Sequence, residues 1–404
     1  MRRWSSAALG IPLLFGAIAV DAAPAPVAAS PPPHHRTVVT AASRDPRKSN
    51  PRPAVLSAVS CTSAKNCMTV GSVGSLPLAE SWNGKKWSAA PVKGPAGTRS
   101  STLLGVSCVS ARWCVAVGSS FDGRVVDTLV ETWNGKAWKS DRTPNPLGAQ
   151  GGQGEGSTLA GVSCASATAC EAVGSYAAKH SYLHLTLAEI WNGKTWKLEH
   201  TLNPGRATAA GLASVSCPRA SDCTAVGYSG LRTLAEVWNG RSWRSLRTPN
   251  PAGALTSTFS SVSCPRMATC VAVASDGSSS AGARSFAEVW NGRVWQLKQT
   301  PSPAGSLSTS LFGVSCTSTK SCTAAAGLEA SRGLRQTFAE AWNAKSWKLE
   351  RTPDPSGGTE PAFAGISCPV AATCTAVGSY DRGATLTLAE TWNGKTWKIE
   401  RTPQ

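Results

Sequence analysis

Acidic residues are scarce in this 404-residue chain: 23 Asp and Glu stand against 40 Lys and Arg, a formal net charge of +17. That balance points toward anionic partners. Tyrosine is rare as well, with 4 copies, beside 7 phenylalanines. Few tyrosines and few non-repeated acids leave little material for a hydrolytic centre. No stretch reaches the ~18 apolar residues of a membrane-spanning helix. No phosphate loop, H-E-x-x-H or G-x-S-x-G occurs, which removes the nucleotide-binding, zincin and α/β-hydrolase readings. What is abundant is 16 Trp, 14 Cys, 38 Gly and 26 Pro in a chain that is 41% apolar. A chain of this kind buries a core and is not disordered.

The amino terminus predicts export. Arg2 and Arg3 precede a 14-residue apolar run, residues 7–20, and Val20-Asp21-Ala22 places small residues where a signal peptidase cuts. A secretory signal peptide over residues 1–22 is therefore expected, followed by a mature chain that stays strongly basic. With no cysteine near the cut for lipidation and no apolar or basic tail before Gln404, a secreted, extracellular protein without a transmembrane segment is expected. Residues 23–53, from Pro24-Ala25-Pro26 through Pro31-Pro32-Pro33-His34-His35 to Pro51-Arg52-Pro53, cannot pack a core and read as an Ala/Pro-rich basic linker. His34 and His35 are read as a solvated pair. Thr37-Val38-Val39-Thr40 is a stretch of the linker able to add a strand to the last blade.

From residue 54 to 404 one pattern recurs seven times: V-S-C-x5-C-x-A-V-G, a variable stretch, T-L-A-E-x-W-N-G-K-x-W-K, then T-P-x-P. The cysteine pairs are Cys61 and Cys67, Cys108 and Cys114, Cys164 and Cys170, Cys217 and Cys223, Cys264 and Cys270, Cys316 and Cys322, and Cys368 and Cys374, which uses all fourteen. First cysteines are 47, 56, 53, 47, 52 and 52 residues apart, the length of a supersecondary unit of about four short strands. In the second unit Val106-Ser107-Cys108 reads as a strand and residues 109–113 as a loop. Cys114 to Gly118 is a second strand, Thr128 to Trp133 a third, and Trp138 opens a fourth after the Asn134-Gly135 turn. Seven four-stranded antiparallel meanders that cannot bury both faces alone close most simply into an all-β, seven-bladed β-propeller. The competing architecture is a linear β-solenoid, whose coils are shorter and lack hairpin turns. A monomer is expected.

The W-N-G-[KRA]-x-W turns following an A-V-G strand resemble the Asp-box (BNR-type) propellers, including the photosystem assembly factor family with its G-W-x-V-G and D-G-G-x-T-W repeats. Gly84, Gly135, Gly193, Gly240, Gly292 and Gly394 match the box glycine, and the second tryptophan of each repeat matches the box tryptophan. Trp82, Trp133, Trp191, Trp238, Trp290, Trp342 and Trp392 stand where the box has aspartate, and the sixth repeat has Ala344 for glycine. The chain is also similar to the secreted W-N-G repeat proteins of high-G+C bacteria.

Each C-x5-C pair joins adjacent strands, so seven intrablade disulfides are expected, and export makes their oxidation reasonable. Cysteines spread evenly over seven blades do not converge on a redox or zinc site. The two tryptophans of each turn should face one another across the hairpin and pack between blades rather than serve as sugar platforms. Glu80, Glu131, Glu189, Glu236, Glu288, Glu340 and Glu390 recur in every unit. As half-buried carboxylates they are expected to pair with backbone N–H groups or a basic neighbour, a structural latch whose loss in Glu236→Gln would lower the melting temperature.

Two kinds of candidate site follow. The turn position after the glycine is basic throughout, at Lys85, Lys136, Lys194, Arg241, Arg293, Lys345 and Lys395, with Lys139, Lys197, Arg244, Lys348 and Lys398 after the second tryptophan. In a propeller such turns share one rim, which either attracts an anionic envelope polymer or protects strand edges from association. Departures from symmetry lie between the second and third strands: Phe121-Asp122-Gly123-Arg124, His180-Ser181-Tyr182-Leu183-His184, Tyr228 and Tyr380-Asp381-Arg382. Asp122, Arg124, His180, Tyr182, His184, Tyr228, Tyr380, Asp381 and Arg382 could line one mouth of the ring. His180 and His184 lack a third metal ligand nearby, and neither a metal nor a cofactor is expected. The reading is a non-enzymatic binding or scaffold module for a cell-envelope or extracellular partner, whether polyanion, glycan or protein. Nucleic acid is not expected. The alternative is a glycan-active enzyme, a sialidase-like glycosidase or polysaccharide lyase, for which paired carboxylates or a tyrosine nucleophile with its base are needed. No matching motif is present.

Overall fold

The computed structural model describes residues 52–146, 156–178, 183–203, 209–277 and 282–403. Seven four-stranded antiparallel sheets follow one another, each made of strands consecutive in the chain. Blade 1 comprises β1 (Ala54–Ser63), β2 (Asn66–Val73), β3 (Leu76–Trp82) and β4 (Trp87–Ala89). Blades 2 to 7 occupy residues 100–141, 157–199, 210–246, 256–299, 306–351 and 359–400. Each innermost strand packs against the next, and that of blade 7 against β1, so the sheets close a ring. Their small residues, among them Gly105, Gly161, Ser214 and Gly365, line a central channel of about 260 Å³. Blade 7 has four strands of its own; Thr37 to Thr40 lie outside the described residues.

The strands are longer than the repeat alone suggests. The expected five-residue loop between the cysteines shrinks to a two-residue turn, Ala111-Arg112 in blade 2, because the strands there are Ser100–Ser110 and Trp113–Phe121. Cys108 lies directly opposite Cys114 with Cα atoms 4.0 Å apart, close to the spacing of a non-hydrogen-bonded cross-strand pair. The ladder therefore runs through the disulfide and beyond it. All seven pairs are joined in this way, and seven disulfides fit an oxidising, extracellular environment. No helix among the described residues is long and apolar enough to cross a membrane.

The glycine of A-V-G answers a bulge in the inner strand. At the register shifts between Leu56 and Ala58 and between Leu103 and Gly105 the inner backbone approaches so closely that a Cβ on Gly71 or Gly118 would lie 2.0 or 1.9 Å from the Val55 or Thr102 carbonyl oxygen. In these two blades a side chain would push the strands apart, whereas blades 5 and 6 accommodate Ala274 and Ala326 at the equivalent position.

The V-S-C serine joins neighbouring blades. Ser60 Oγ accepts from Cys108 N, Ser107 from Cys164, Ser163 from Cys217, Ser216 from Cys264, Ser263 from Cys316 and Ser315 from Cys368, at 2.9–3.0 Å. Ser367 completes the circuit by accepting from Cys61 N at 2.9 Å. This belt is hydrogen-bonded at every blade interface.

Between blades the expected carboxylate latch is largely absent. All seven repeated glutamates are buried, but both carboxyl oxygens of Glu80, Glu288, Glu340 and Glu390 lack a hydrogen-bond partner among the described residues. Glu131 accepts from Ser140 Oγ, and Glu236 accepts from Leu202 N at 3.4 Å through one oxygen. An ionised carboxylate in such surroundings is costly, so the neutral acid is favoured. Burial pushes Glu80, Glu288 and Glu340 up to about 8. Burial, with Asp354 adding its charge, pushes Glu390 up to about 9. These are proton-bearing packing groups, which corrects the expectation of a paired latch.

Candidate functional site

The strand 3–4 turn shows how its residues aim a cation outward. The side-chain Oδ1 of Asn134 accepts from the N–H groups of Lys136 and Ala137 at 2.9 Å, an Asx-type cap. Gly135 adopts φ +89°, and its counterparts in the other blades are also left-handed, including Ala344 at +74°. Trp133 and Trp138 face each other across the turn with ring centroids 5.6 Å apart, and the other six pairs lie at 5.5–5.7 Å. The second tryptophan is buried in every blade but the second, where Trp138 is half-buried, as expected for packing residues. With the Asn side chain tied to the backbone of the turn and the two tryptophans packed on each other, the next residue points to solvent. Lys85, Lys136, Lys194, Arg241, Arg293, Lys345 and Lys395 are all exposed, as are Lys139, Lys197, Arg244, Lys348 and Lys398.

A further set of cations joins this face. Antiparallel strands reverse direction at each step, so the strand 1–2 turn emerges beside the strand 3–4 turn. In blades 1 and 2 the contact is direct: a Cβ on Gly84 would meet the Lys65 side chain, and one on Gly135 the Arg112 side chain. Trp82 and Trp133 donate their indole N–H to the Ala64 and Ala111 carbonyls of those turns. Lys65, Arg112, Arg219, Arg266 and Lys320 are exposed there, and Asp222 is the acid found among these turns. Exposed cations from both sets of turns thus stand on one side of the ring. These five cations vary in their position between the cysteines, so the repeat did not single them out; the contact between the turns does.

The variable loops occupy the opposite face. His180 and Tyr182 lie outside the described residues. Asp122 Oδ1 accepts from Arg124 N at 2.7 Å and Val125 N at 2.9 Å, and these N–H groups, Val125 first, hold its carboxyl below the usual range. Asp122, Arg124, His184 and Arg382 are exposed and Asp381 is half-buried. The two tyrosines turn into their own blades. Tyr228 is buried with its ring against Gly211, and the Tyr380 ring lies against Gly358. None of these seven described residues lines the central channel. Among the described residues no group of three or more His, Cys, Asp or Glu forms a metal-binding cluster.

No protein-family model matches the chain, and no curated protein sequence matches it. Solved structures share its fold. A YCF48 structure bound to D1 peptide is 11% identical, covering 83% of this chain and 92% of that one, with a TM-score of 0.50. A PL25 ulvan lyase bound to a GlcA–Rha3S saccharide is 8% identical over 87% of this chain and 95% of that one, TM-score 0.56. The GH74 xyloglucanase of Xanthomonas campestris is 13% identical over 87% of this chain and 55% of that one, TM-score 0.55. At such identities the likeness is one of fold, and that fold carries binding and catalysis alike.

Proposed function

We propose that this chain is a secreted, non-enzymatic binding module whose basic face holds a polyanionic polymer of the cell envelope or extracellular space. The observation that carries the reading is the pooling of exposed cations from two sets of turns on one side of the ring, where Asp222 stands among the strand 1–2 turns and Asp141 and Glu400 pair with Lys139 and Lys398. Such a surface concentrates a polyanion by its summed field, with many contacts that are individually weak. The propeller supplies the rigidity: tryptophan pairs and disulfides fix each turn, so little conformational entropy is lost when a polymer lies across it.

Binding of the full chain to teichoic acid, an acidic polysaccharide and a neutral glucan, at low and high salt, tests this. Affinity for the anionic polymers should fall steeply with salt and fall again in Lys136→Glu/Lys194→Glu. Salt-insensitive binding to the neutral glucan would end the reading. A glycan-cleaving propeller is the competing function, and the lyase and the xyloglucanase show that this fold can carry it. New reducing ends or unsaturated uronates, released from any of these polymers and lost in Asp122→Asn or Asp381→Asn, would replace binding with catalysis.

A further inference from the structure

The blades differ most in charge along their outer strands. Register places an acid opposite the small residue that precedes the repeated glutamate in four of them: Asp141 opposite Val130, Glu199 opposite Ala188, Glu350 opposite Ala339 and Glu400 opposite Ala389. These acids are used locally. Asp141 and Glu400 pair with Lys139 and Lys398, and Glu350 accepts the indole N–H of Trp397 from the next blade at 3.2 Å. In blade 4 the same register places Leu246 opposite Ala235.

That exchange leaves a groove rich in donors. A cavity of about 740 Å³ runs along the outer edge of blade 4, lined in part by Arg232, Leu246, Arg247 and Asn250, with Val294 and Trp295 from blade 5. Among the described residues no acid lines it. Arg232 and Arg247 are exposed, and neither has an ion pair among the described residues. Asn250 Oδ1 is taken by Thr233 N and Oγ1, both at 3.1 Å, which leaves its NH2 group to donate. At the floor the buried indole N–H of Trp295, like those of Trp87, Trp138, Trp196, Trp243 and Trp347, has no acceptor among the described residues, whereas that of Trp397 in blade 7 has Glu350. Leu246 is half-buried and Val294 is 54% exposed, adding apolar surface beside the cations. The corresponding groove of blade 6, about 510 Å³, carries Glu350 and Asp354 beside Arg351 and has an excess of acid.

We propose that the blade 4 groove is a second site, distinct from the basic face, that binds an acidic oligosaccharide. The Arg232 and Arg247 guanidinium groups take the sugar carboxylate, which suits their planar fork. Leu246 and Val294 receive the C–H face of the ring, and the Asn250 NH2 group donates to a hydroxyl. The ligand carboxylate supplies the negative charge that Asp141, Glu199, Glu350 and Glu400 supply in their own blades.

Calorimetric titration of the full chain with a galacturonate trimer, maltotriose and tripolyphosphate tests the proposal. The trimer should bind at one saturable site, and maltotriose should not bind. Arg232→Ala/Arg247→Ala and Leu246→Glu, which installs the acid of the sister blades, should each weaken the trimer at least about tenfold. Should Leu246→Glu lower the melting temperature, the arginine pair decides. Arg351→Ala in blade 6 should leave trimer affinity unchanged, which separates the blade 4 groove from a general loss of positive charge. Absence of trimer binding, indifference to both blade 4 variants, or equal affinity for tripolyphosphate would overturn it.

Discussion

Ser367 Oγ accepts a hydrogen bond from the backbone N–H of Cys61, 306 residues earlier in the chain, at 2.9 Å. It is one of seven equivalent bonds, and the one that ties blade 7 to blade 1. Removing the hydroxyl leaves a partly buried N–H without its acceptor, which costs about 1–3 kcal/mol. Ser367→Ala should lose that much stability in urea unfolding. Ser216→Ala, at an interior interface, should lose a similar amount; a harmless Ser367→Ala would mean that the ring is held closed elsewhere.

Stability should fall as pH rises. Glu80, Glu288 and Glu340 hold their protons to about 8 when folded, against the ordinary 4.5 of a free side chain. The folded chain therefore binds more protons than the unfolded chain between those values, and stability declines across that window. It is greatest below about 4.5, before other carboxyl effects intervene. Thermal melts from pH 5 to pH 9 should show a falling midpoint, and a rising one would contradict the protonated state.

Glu340 gives the same chemistry at one residue. Neither of its oxygens has a partner among the described residues, so a neutral amide replaces a neutral acid with little change at low pH. Above about 8, where the acid must ionise in place or unfold the blade, Glu340→Gln should melt at a higher temperature than the parent chain. A variant less stable at every pH would restore the idea of a charged latch.

Ala344 holds φ at +74° in a turn where its six counterparts are glycine. A Cβ in that region is strained, and glycine relieves the strain at some cost in unfolded-state entropy. Ala344→Gly should stabilise the chain by about 0.5–1 kcal/mol, read from the shift of the denaturation midpoint, with Lys345 still exposed for binding.

Each disulfide closes a short loop, for which chain-entropy arguments give about 2 kcal/mol. Cys264→Ser/Cys270→Ser should cost about that much, whereas full reduction should lower stability by several such steps and loosen the turns that carry Lys65 and Arg112. Equal melting curves for reduced and oxidised protein would show that the ladders alone hold the blades.

The features legible in the sequence were those every blade needs. Cys108 and Cys114, Trp133 and Trp138, and the Asn134-Gly135 turn act within one repeat, so their spacing already encodes their contact. Glu340 was misjudged because its surroundings come from a neighbouring repeat, and a pattern within one unit does not say what faces it. The Lys65 and Arg112 contribution to the basic face, and the consequence of Leu246 standing where sister blades have acids, required the strand register. Asp122, His184, Tyr228 and Tyr380 were singled out for being unlike their counterparts; two of the four, the tyrosines, are spent on packing against glycines of their own blades.

Each sheet is woven from a single uninterrupted stretch of polypeptide, and the contact where the circle meets itself uses the same serine-to-amide bond as the six within it. The circle therefore has no privileged seam. Inserting or deleting one whole wedge would alter the circumference, the channel width and the angle between neighbours, while the ladders and the disulfide within each wedge would stay in place.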